Sequence, residues 1–427
     1  MKKTMKPIAL FMALLGGYGL FAQDRHLDNY RQPDKNGINV FESPKDTVST
    51  FNGVKVRIGG AFALQYQALD NENSGMTPIK EVGYNFNLAT ANLDLDVALH
   101  DGVNLHLRTY LSSRHHHEPY VKGGYLQIDK LDFIEEGFLS DVMKNATVKI
   151  GHMENNYGDA HFRRSDNAQT LFNPFVGNLI MDAFTTEVGA EVYYKTESGF
   201  LGMLGFSNGK LNQKVVKTGS NTGGAAFLAK LGYDKQINTD LRFRLTGSLY
   251  NTGYAPSVYL YNADRAGSRY YDIMQNATAA NDDFRSGRFN PDFTNKITAV
   301  MINPFVKYGG LEFFGTVEMT SGRSMAESER RKTQQYAGEL VYRFGKSENL
   351  YVGGRYNTVD AELMGGDEVT INRLQAGAGW FMTKNILMKA EYVNQTYNDY
   401  AVGSILDEGA FKGVMVEAVI SFYPEHK

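Results

Sequence analysis

The chain has 427 residues, a formal net charge of −3 and no cysteine. The lack of cysteine excludes disulfide frameworks, zinc–thiolate sites and cysteine nucleophiles, and the nearly neutral charge argues against nucleic-acid binding. Tyrosine, phenylalanine and glycine are abundant, with 26, 26 and 44 residues. The aromatic residues favour strands and membrane interfaces, and glycine suits turns and close strand contacts.

Residues 1–22 have the composition of an export signal. Three lysines precede an apolar run over residues 8–20, and Ala22 offers a cleavage position. The run is short for a membrane anchor, so we expect residues 1–22 to be a signal peptide. Residues 23–50 are polar and contain two prolines. They predict an irregular periplasmic segment without a core of its own.

The stretch Leu93–Leu111 shows the pattern that dominates the rest of the chain. Leucine and valine alternate with charged or polar residues on both sides of the Asp101-Gly102 turn. Two segments of alternating apolar and polar residues, joined by an Asp-Gly turn, predict an antiparallel hairpin with one apolar and one polar face.

Similar segments recur along residues 51–423, and they predict about sixteen strands of membrane-spanning length. The predicted strands cover residues 53–68, 83–99, 103–112, 120–130, 146–154, 185–196, 200–208, 223–233, 240–252, 297–308, 311–320, 333–344, 349–360, 369–381, 386–397 and 410–422. Short links alternate with long polar links, as periplasmic turns and extracellular loops do. The link at 131–145 is long for an inner turn and is compatible with a small helix.

No stretch of the mature chain is apolar enough for a transmembrane helix, which leaves the closed barrel as the spanning structure. The fold class is therefore all-β, a transmembrane antiparallel up-and-down barrel of about 16 strands. Its domain plan is a signal peptide at 1–22, a periplasmic segment at 23–50, the barrel at 51–423 and a short tail at 424–427. A soluble antiparallel protein is the alternative, but strands this numerous need a very large interior.

Aromatic residues near the strand ends predict the two interface girdles of an outer-membrane barrel. The predicted girdle residues are Tyr194, Tyr233, Tyr308, Phe344, Trp380, Phe381 and Phe422 at one end, and Tyr66, Tyr110, Phe206, Tyr250 and Tyr397 at the other.

If the apolar parity faces lipid, the charged parity lines a water-filled lumen, since unpaired ions in a dry interior cost several kcal/mol each. The pore-lining candidates are Asp94, Asp96, Arg108, Arg242, Arg244, Glu312, Glu318 and Arg355, and the wider set includes Lys149, Lys230, Glu187, Glu191, Glu339, Arg343 and Glu391. A sixteen-strand ring is wide enough for an aqueous channel.

The link between strands 5 and 6 mixes charge with an apolar second half, which predicts a loop that folds back into the barrel. Arg163 and Arg164 are its candidates for the positive side of a constriction, with Asp166 and Glu154 as acidic partners. Rings of arginine select anions. The alternative, which is compatible with this role, is that the arginines pin the loop to wall carboxylates.

Two other regions carry weaker signals. The run His115–His117 predicts surface polar residues rather than a metal site, because neighbouring strand residues point to opposite faces. The region 253–296 predicts a large surface loop that covers the mouth or binds a partner. We expect no metal and no cofactor.

Four stretches resemble the phosphate-selective porin family, the porin O and P type. They are VKVRIGGAFALQYQ, EPYVKGGYLQID, ATVKIGHMENNYGDAHFRRSD and NPFVGNLIMDAFTTEVGAEVYY followed by FLGMLGFSNGK. The resemblance implies an outer-membrane channel, a homotrimer, for passive diffusion of small hydrophilic solutes, with anion or phosphate preference as an open alternative. The implied setting is a Gram-negative outer membrane, with its lipid and lipopolysaccharide as partners. The C-terminal aromatic strand suits the barrel-assembly machinery.

Two rival functions stay open. A surface adhesin or structural barrel would act through the 253–296 loop, and a barrel hydrolase would need a nucleophile, a base and an orienting group at the bilayer edge. The hydrolase is disfavoured because no Gly-x-Ser-x-Gly occurs, so we expect a protein without enzymatic activity. An energised transporter needs more strands and a plug domain larger than residues 23–50 supply.

Overall fold

A computed structural model describes residues 27–112, 116–166, 168–210, 224–255, 257–262, 269–283 and 285–423. The predicted signal peptide, the tail at 424–427 and His115 lie outside the described residues. Within them, no helix is both long enough and apolar enough to cross a membrane.

Sixteen antiparallel strands form one closed barrel, in which each strand pairs with its neighbours in sequence and β1 pairs with β16. This confirms the predicted fold class. The strands are β1 (Lys55–Glu72), β2 (Asn85–His100), β3 (Val103–Ser112), β4 (His116–Ile128), β5 (Ala146–Glu154), β6 (Thr186–Lys195), β7 (Phe200–Ser207), β8 (Ala226–Gln236), β9 (Leu241–Thr252), β10 (Lys296–Tyr308), β11 (Leu311–Arg323), β12 (Arg331–Phe344), β13 (Leu350–Glu362), β14 (Glu368–Thr383), β15 (Ile386–Asn398) and β16 (Ala410–Phe422).

Among the residues that the structure describes, helical structure is confined to short pieces. The predicted small helix in the β4–β5 link is confirmed as α1 (Ser140–Met143). Single 3₁₀ turns cover Lys35–Gly37, Ala160–Arg163 and Thr170–Phe172.

The Leu93–Leu111 segment forms the predicted antiparallel hairpin. Asp94 lies opposite Arg108 and Leu95 opposite Leu107 on β2 and β3. Gly102 closes the turn with φ = +70°, a conformation that glycine adopts without steric cost.

The barrel surface is inverted relative to that of a water-soluble protein. Large apolar side chains in mid-strand are exposed, among them Ile58, Leu93, Leu204, Leu231, Leu340 and Val414, whereas charged side chains of the opposite parity are buried inside the ring. Lipid is the solvent that accepts such a surface, because it has no hydrogen bonds to lose.

The aromatic girdles are confirmed in part. Tyr194, Tyr308, Phe344, Trp380 and Phe422 are exposed on the outside near the short-turn end, and Phe206 is exposed near the long-loop end. The prediction was wrong for other members, which are buried inside the ring because they have the inward parity of their strands. These inward residues are Tyr110, Tyr250, Phe381 and Tyr397.

We predict that Leu340→Arg destabilises the barrel in lipid by about 2–4 kcal/mol, because Leu340 is exposed on the outer face of β12 between the exposed rings of Tyr336 and Tyr342, where a charge meets hydrocarbon. The matched change Gln334→Arg, on the same face near the strand end, should cost about 0–1 kcal/mol. Denaturant unfolding in vesicles, followed by the fluorescence of the single tryptophan Trp380, measures both. Equal costs for the two variants would contradict the assignment of the lipid face.

Candidate functional site

The inward-facing charges form ion pairs across neighbouring strands. Asp94 accepts hydrogen bonds from Arg108 at 2.7 and 2.8 Å, and Asp96 contacts Arg57 at 3.0 Å and His106 at 2.6 Å. These pairs lie directly opposite in the strand register. The alternation of each strand therefore places the charges in the lumen, and the register pairs them.

Ion pairs between neighbouring strands also line the opposite wall, where Glu339 and Arg355 lie directly opposite in the register and the other pairs are diagonal. Arg343 donates to Glu312 at 2.7 Å, and Arg355 contacts Glu339 at 2.7 Å. Arg242 donates to Asp234 at 2.7 and 2.8 Å. Buried charges need such partners, because the desolvation penalty of a lone ion exceeds what a typical contact returns.

The β5–β6 loop, residues 155–185, folds into the barrel as predicted. Its apolar second half packs inside, with Phe175, Val176, Ile180 and Met181 buried. The carboxylate of Glu391 on β15 accepts the main-chain N–H groups of Val176 at 2.8 Å and of Gly177 at 3.1 Å. The loop thus crosses the lumen and is held by the far wall.

The predicted constriction residues all lie inside the ring, and each bonds a specific partner. Arg163 donates to Glu339 at 3.3 Å, which joins the loop to the wall. Arg164 contacts Asp182 at 2.8 Å and Asp166 at 2.9 Å within the loop. These two arginines therefore have the geometry of anchors.

The two predicted acidic partners, Asp166 and Glu154, have different partners in the structure. Asp166 joins Arg164 and also accepts from Lys122 on β4 at 2.6 Å. Burial would raise the pKa of Asp166, but Lys122 and Arg164 outweigh it and hold the pKa well below its usual range. Glu154 instead contacts the His161 ring at 2.7 Å and accepts from Gln169 at 2.9 Å.

The prediction of a surface loop at 253–296 was wrong for much of its described part. Arg269 and Tyr270 are fully buried, and Tyr261 is nearly so. The Tyr270 hydroxyl donates to Glu391 at 2.6 Å. The physical reason lies in the composition of the loop. Its apolar and tyrosine side chains are stabilised by burial, and the tyrosine hydroxyls donate hydrogen bonds to carboxylates on the barrel wall.

The β9–β10 and β5–β6 loops meet at two wall carboxylates. Glu391 accepts hydrogen bonds from the main chain of the β5–β6 loop and from Tyr270 of the β9–β10 loop. Glu318 on β11 accepts from Tyr157 at 2.9 Å and from Tyr261 at 2.6 Å. A side chain at Gly177 would collide with the Tyr270 hydroxyl, so glycine is required at this crossing.

Residues 27–50 contact the inner wall around the short-turn end of the barrel. The Tyr30 ring lies 6.4 Å from that of His106, and Lys45 contacts Asp129 at 2.9 Å. Asn39 donates to Glu312 at 2.7 Å on the other side. The segment therefore runs across the lumen instead of hanging free of the barrel.

A cavity of about 150 Å³ is left between these inserts and the β3–β6 wall. Its charged lining consists mostly of cations, namely Arg31, Arg108, Lys122 and Lys149, accompanied by Glu42, Glu154 and Glu191. Tyrosine and phenylalanine supply much of the remaining surface, through Tyr30, Tyr125, Phe162, Phe172 and Tyr193.

Two of these cations have no carboxylate within 4 Å among the residues that the structure describes. Lys149 donates to the Ser43 hydroxyl at 3.3 Å and lies 5.3 Å from the centre of the Tyr125 ring. Arg31 donates to two main-chain carbonyls and stacks at 3.7 Å over Phe172. Burial lowers the pKa of Arg31 to about 9, so the side chain stays cationic at neutral pH.

Sequence reasoning placed Lys149 among the lumen residues but missed Arg31, because Arg31 lies in the segment predicted to be periplasmic. The only local signal was its position between aromatic and polar residues in a short, irregular stretch. Its role depends on where the segment lies, which periodicity does not encode.

Comparisons with known proteins support the fold. No protein-family model and no curated protein matches the chain. Among solved structures, the outer membrane channel DcaP of Acinetobacter baumannii is 12% identical with a TM-score of 0.52, covering 88% of this chain and 99% of that one. An anion-selective porin from Comamonas acidovorans is 13% identical, with a TM-score of 0.51 over 87% and 99%.

Outer-membrane expressed OmpT of Vibrio cholerae is 11% identical, with a TM-score of 0.51 over 88% of this chain and 100% of that one. At these identities the likeness is one of fold. The chain has the barrel fold of outer-membrane porins and channels.

Proposed function

We propose that the protein is an outer-membrane porin that forms a channel for passive diffusion of small hydrophilic solutes. The observation that carries this proposal is the inverted barrel: apolar side chains face outward, and paired charges face a lumen that the β5–β6 loop narrows. In this proposal residues 1–22 direct export, both termini lie in the periplasm of a Gram-negative bacterium, and the protein catalyses no reaction.

The solute path follows the β3–β6 side of the lumen. On the opposite side, both inserted loops pack apolar residues such as Ile180 and Ile273 against Ile297, Val359 and Val393 of the wall. That contact is a dry core, which offers an ion no solvation. In this proposal the polar cavity beside β3–β6 holds water and solute.

We propose that the path prefers anions on the strength of Arg31 and Lys149, which have no described carboxylate within 4 Å and which share the cavity with Glu154 and Glu191. Fixed charge in a narrow pore selects the opposite ion. Whether phosphate is favoured over other anions depends on contacts within this cavity, and the resemblance to phosphate-selective porins makes phosphate the first solute to test.

In this proposal the predicted constriction residues position the β5–β6 loop. Arg163, Arg164 and Asp166 hold the β5–β6 loop across the lumen, and the loop in turn narrows the path. The adhesin alternative loses its main support, because much of the 253–296 loop faces the lumen. We further propose a homotrimer surrounded by lipid and lipopolysaccharide, inserted by the barrel-assembly machinery.

The direct test is reconstitution of the refolded mature chain in a planar bilayer. We expect stepwise conductance and, in a salt gradient, a reversal potential of anionic sign that phosphate shifts by competing with chloride. A protein that inserts as a heat-modifiable barrel without conducting would falsify the channel. A cationic reversal potential would remove only the anion preference.

Loss of the two unpaired cations should weaken this preference. We expect Arg31→Gln with Lys149→Gln to lower the anion-to-cation permeability ratio about threefold to tenfold, because each unit charge contributes on the order of 1 kcal/mol at about 4 Å in water. The control is Lys144→Gln, which removes a charge from an exposed site beyond the barrel wall. An equal response to both variants would point to net charge rather than to the cavity.

Reversing the charge of Arg163 and Arg164 tests whether they hold the β5–β6 loop in place. Arg163→Glu with Arg164→Glu places like charges against Glu339 and Asp182, so we expect the loop to leave the wall, the conductance to rise and selectivity to shift toward cations. The control is Arg163→Lys with Arg164→Lys, which keeps the charge. Unchanged conductance and selectivity in the glutamate variant would mean that the loop does not limit the path.

A further inference from the structure

The segment of residues 27–50 is held in the lumen differently from the barrel strands. It contributes no strand, and a main-chain hydrogen bond ties it to the barrel where Lys35 donates to the Lys384 carbonyl at 2.9 Å. Side-chain contacts supply most of the other links. Hydrogen bonds of this kind contribute about 0.5–1.5 kcal/mol each when neutral and about 1.5–3 kcal/mol when one group is charged, whereas the barrel ladder is paired along every strand.

Glu42 makes the strongest of these side-chain contacts. Its two carboxylate oxygens accept from the Arg244 guanidinium at 2.8 and 2.9 Å, a bidentate geometry. Lys230 lies 3.4 Å from the same carboxylate. Both cations are fully buried side chains on the wall, at β9 and β8.

The neighbourhood of Glu42 favours its ionised form. Burial by itself would raise the pKa of this carboxyl, but Arg244 and Lys230 outweigh burial and hold the pKa well below its usual range. Asp159 of the β5–β6 loop shares the same two cations, and the same balance lowers its pKa to about 2. Both carboxylates are therefore ionised at neutral pH.

A second cavity, of about 240 Å³, lies beside this cluster at the short-turn end. Its charged lining comprises Glu42 and Asp234 together with Lys195, Arg242 and Arg244. Three cations thus face two carboxylates, and one of the two is supplied by the N-terminal segment. If Glu42 left, Arg244 and Lys230 would keep Asp159 as a partner and would lose one of their carboxylates, which would leave a place for the carboxylate or phosphate group of another anion.

We propose that residues 27–50 are an autoinhibitory plug and that Glu42 is a tethered anion, which occupies on Arg244 and Lys230 the place of an anionic solute. Phe41 seats the plug, since its ring lies 5.5 Å from Phe305 and 5.9 Å from Phe162. Withdrawal of the segment opens the short-turn end and exposes a binding site for a carboxylate or phosphate group. This inference rests on the proposed channel function.

The test compares Glu42→Gln with the wild type in planar bilayers. The change keeps the volume and removes one negative charge, so we expect the anion-to-cation permeability ratio to rise about threefold or more. The matched control is Asp46→Asn in the same segment, whose carboxylate accepts from the Asn29 main chain and touches no wall cation. The control should behave as the wild type does.

A second variant tests the plug without relying on Glu42. Deletion of residues 28–50 behind the intact signal should raise the single-channel conductance about twofold or more, and added phosphate should then reduce the chloride current by binding the exposed cations. Heat-modifiable migration on gels checks that each variant has formed a barrel.

The outcomes separate the two proposals. Conducting wild-type channels with an unaltered permeability ratio in Glu42→Gln and unaltered conductance in the deletion would overturn the plug and leave the porin intact. If wild type and both folded variants all fail to conduct, the channel itself is refuted and the plug with it. A raised ratio in Asp46→Asn equal to that in Glu42→Gln would also overturn the role of Glu42.

Discussion

The constraint on which the whole structure depends is the pairing of main-chain N–H and C=O groups in a solvent without hydrogen bonds. Lipid tolerates strands only when no edge remains, and the pairing of β1 with β16 removes the last two edges. Once the ring is closed, each strand must send alternate side chains to lipid and to the lumen. The apolar exterior and the charged interior are both consequences of that closure.

The charged interior then determines which segments can be buried inside the ring. Wall residues such as Arg244 and Glu391 are buried, so each requires a partner of opposite charge or a set of hydrogen bonds. Neighbouring strands supply many of these partners, and the inserts supply others: Glu42 from the N-terminal segment, Asp159 from the β5–β6 loop and Tyr270 from the β9–β10 loop. Wall and inserts therefore stabilise one another, and a polar cavity remains beside β3–β6, where Arg31 and Lys149 have no described carboxylate within 4 Å.

Sequence patterns predicted the strands closely because period-two alternation and turn chemistry are local properties. The prediction of β5 at 146–154 and of β16 at 410–422 agrees with the observed bounds. The inward β5–β6 loop was also predictable, from its apolar second half. The 253–296 loop was predicted to lie at the surface because it is rich in polar residues. Its tyrosines instead donate hydrogen bonds to wall carboxylates, which come close to the loop only when the ring is closed. Tyr110 and Tyr250 were placed in the girdle by their position near strand ends, although their parity directs them inward.

By itself the sequence determined that the chain forms a barrel, where its strands lie to within a few residues, and which parity is charged, since these depend on neighbours one or two residues away. Tertiary structure alone decided which charges meet. Glu42 and Arg244 are separated by 202 residues, and Val176 and Glu391 by 215. Contacts of this range depend on the circumference of the closed ring and on the path of chains inside it, so the cavity, its unpaired cations and the N-terminal plug became visible only in three dimensions.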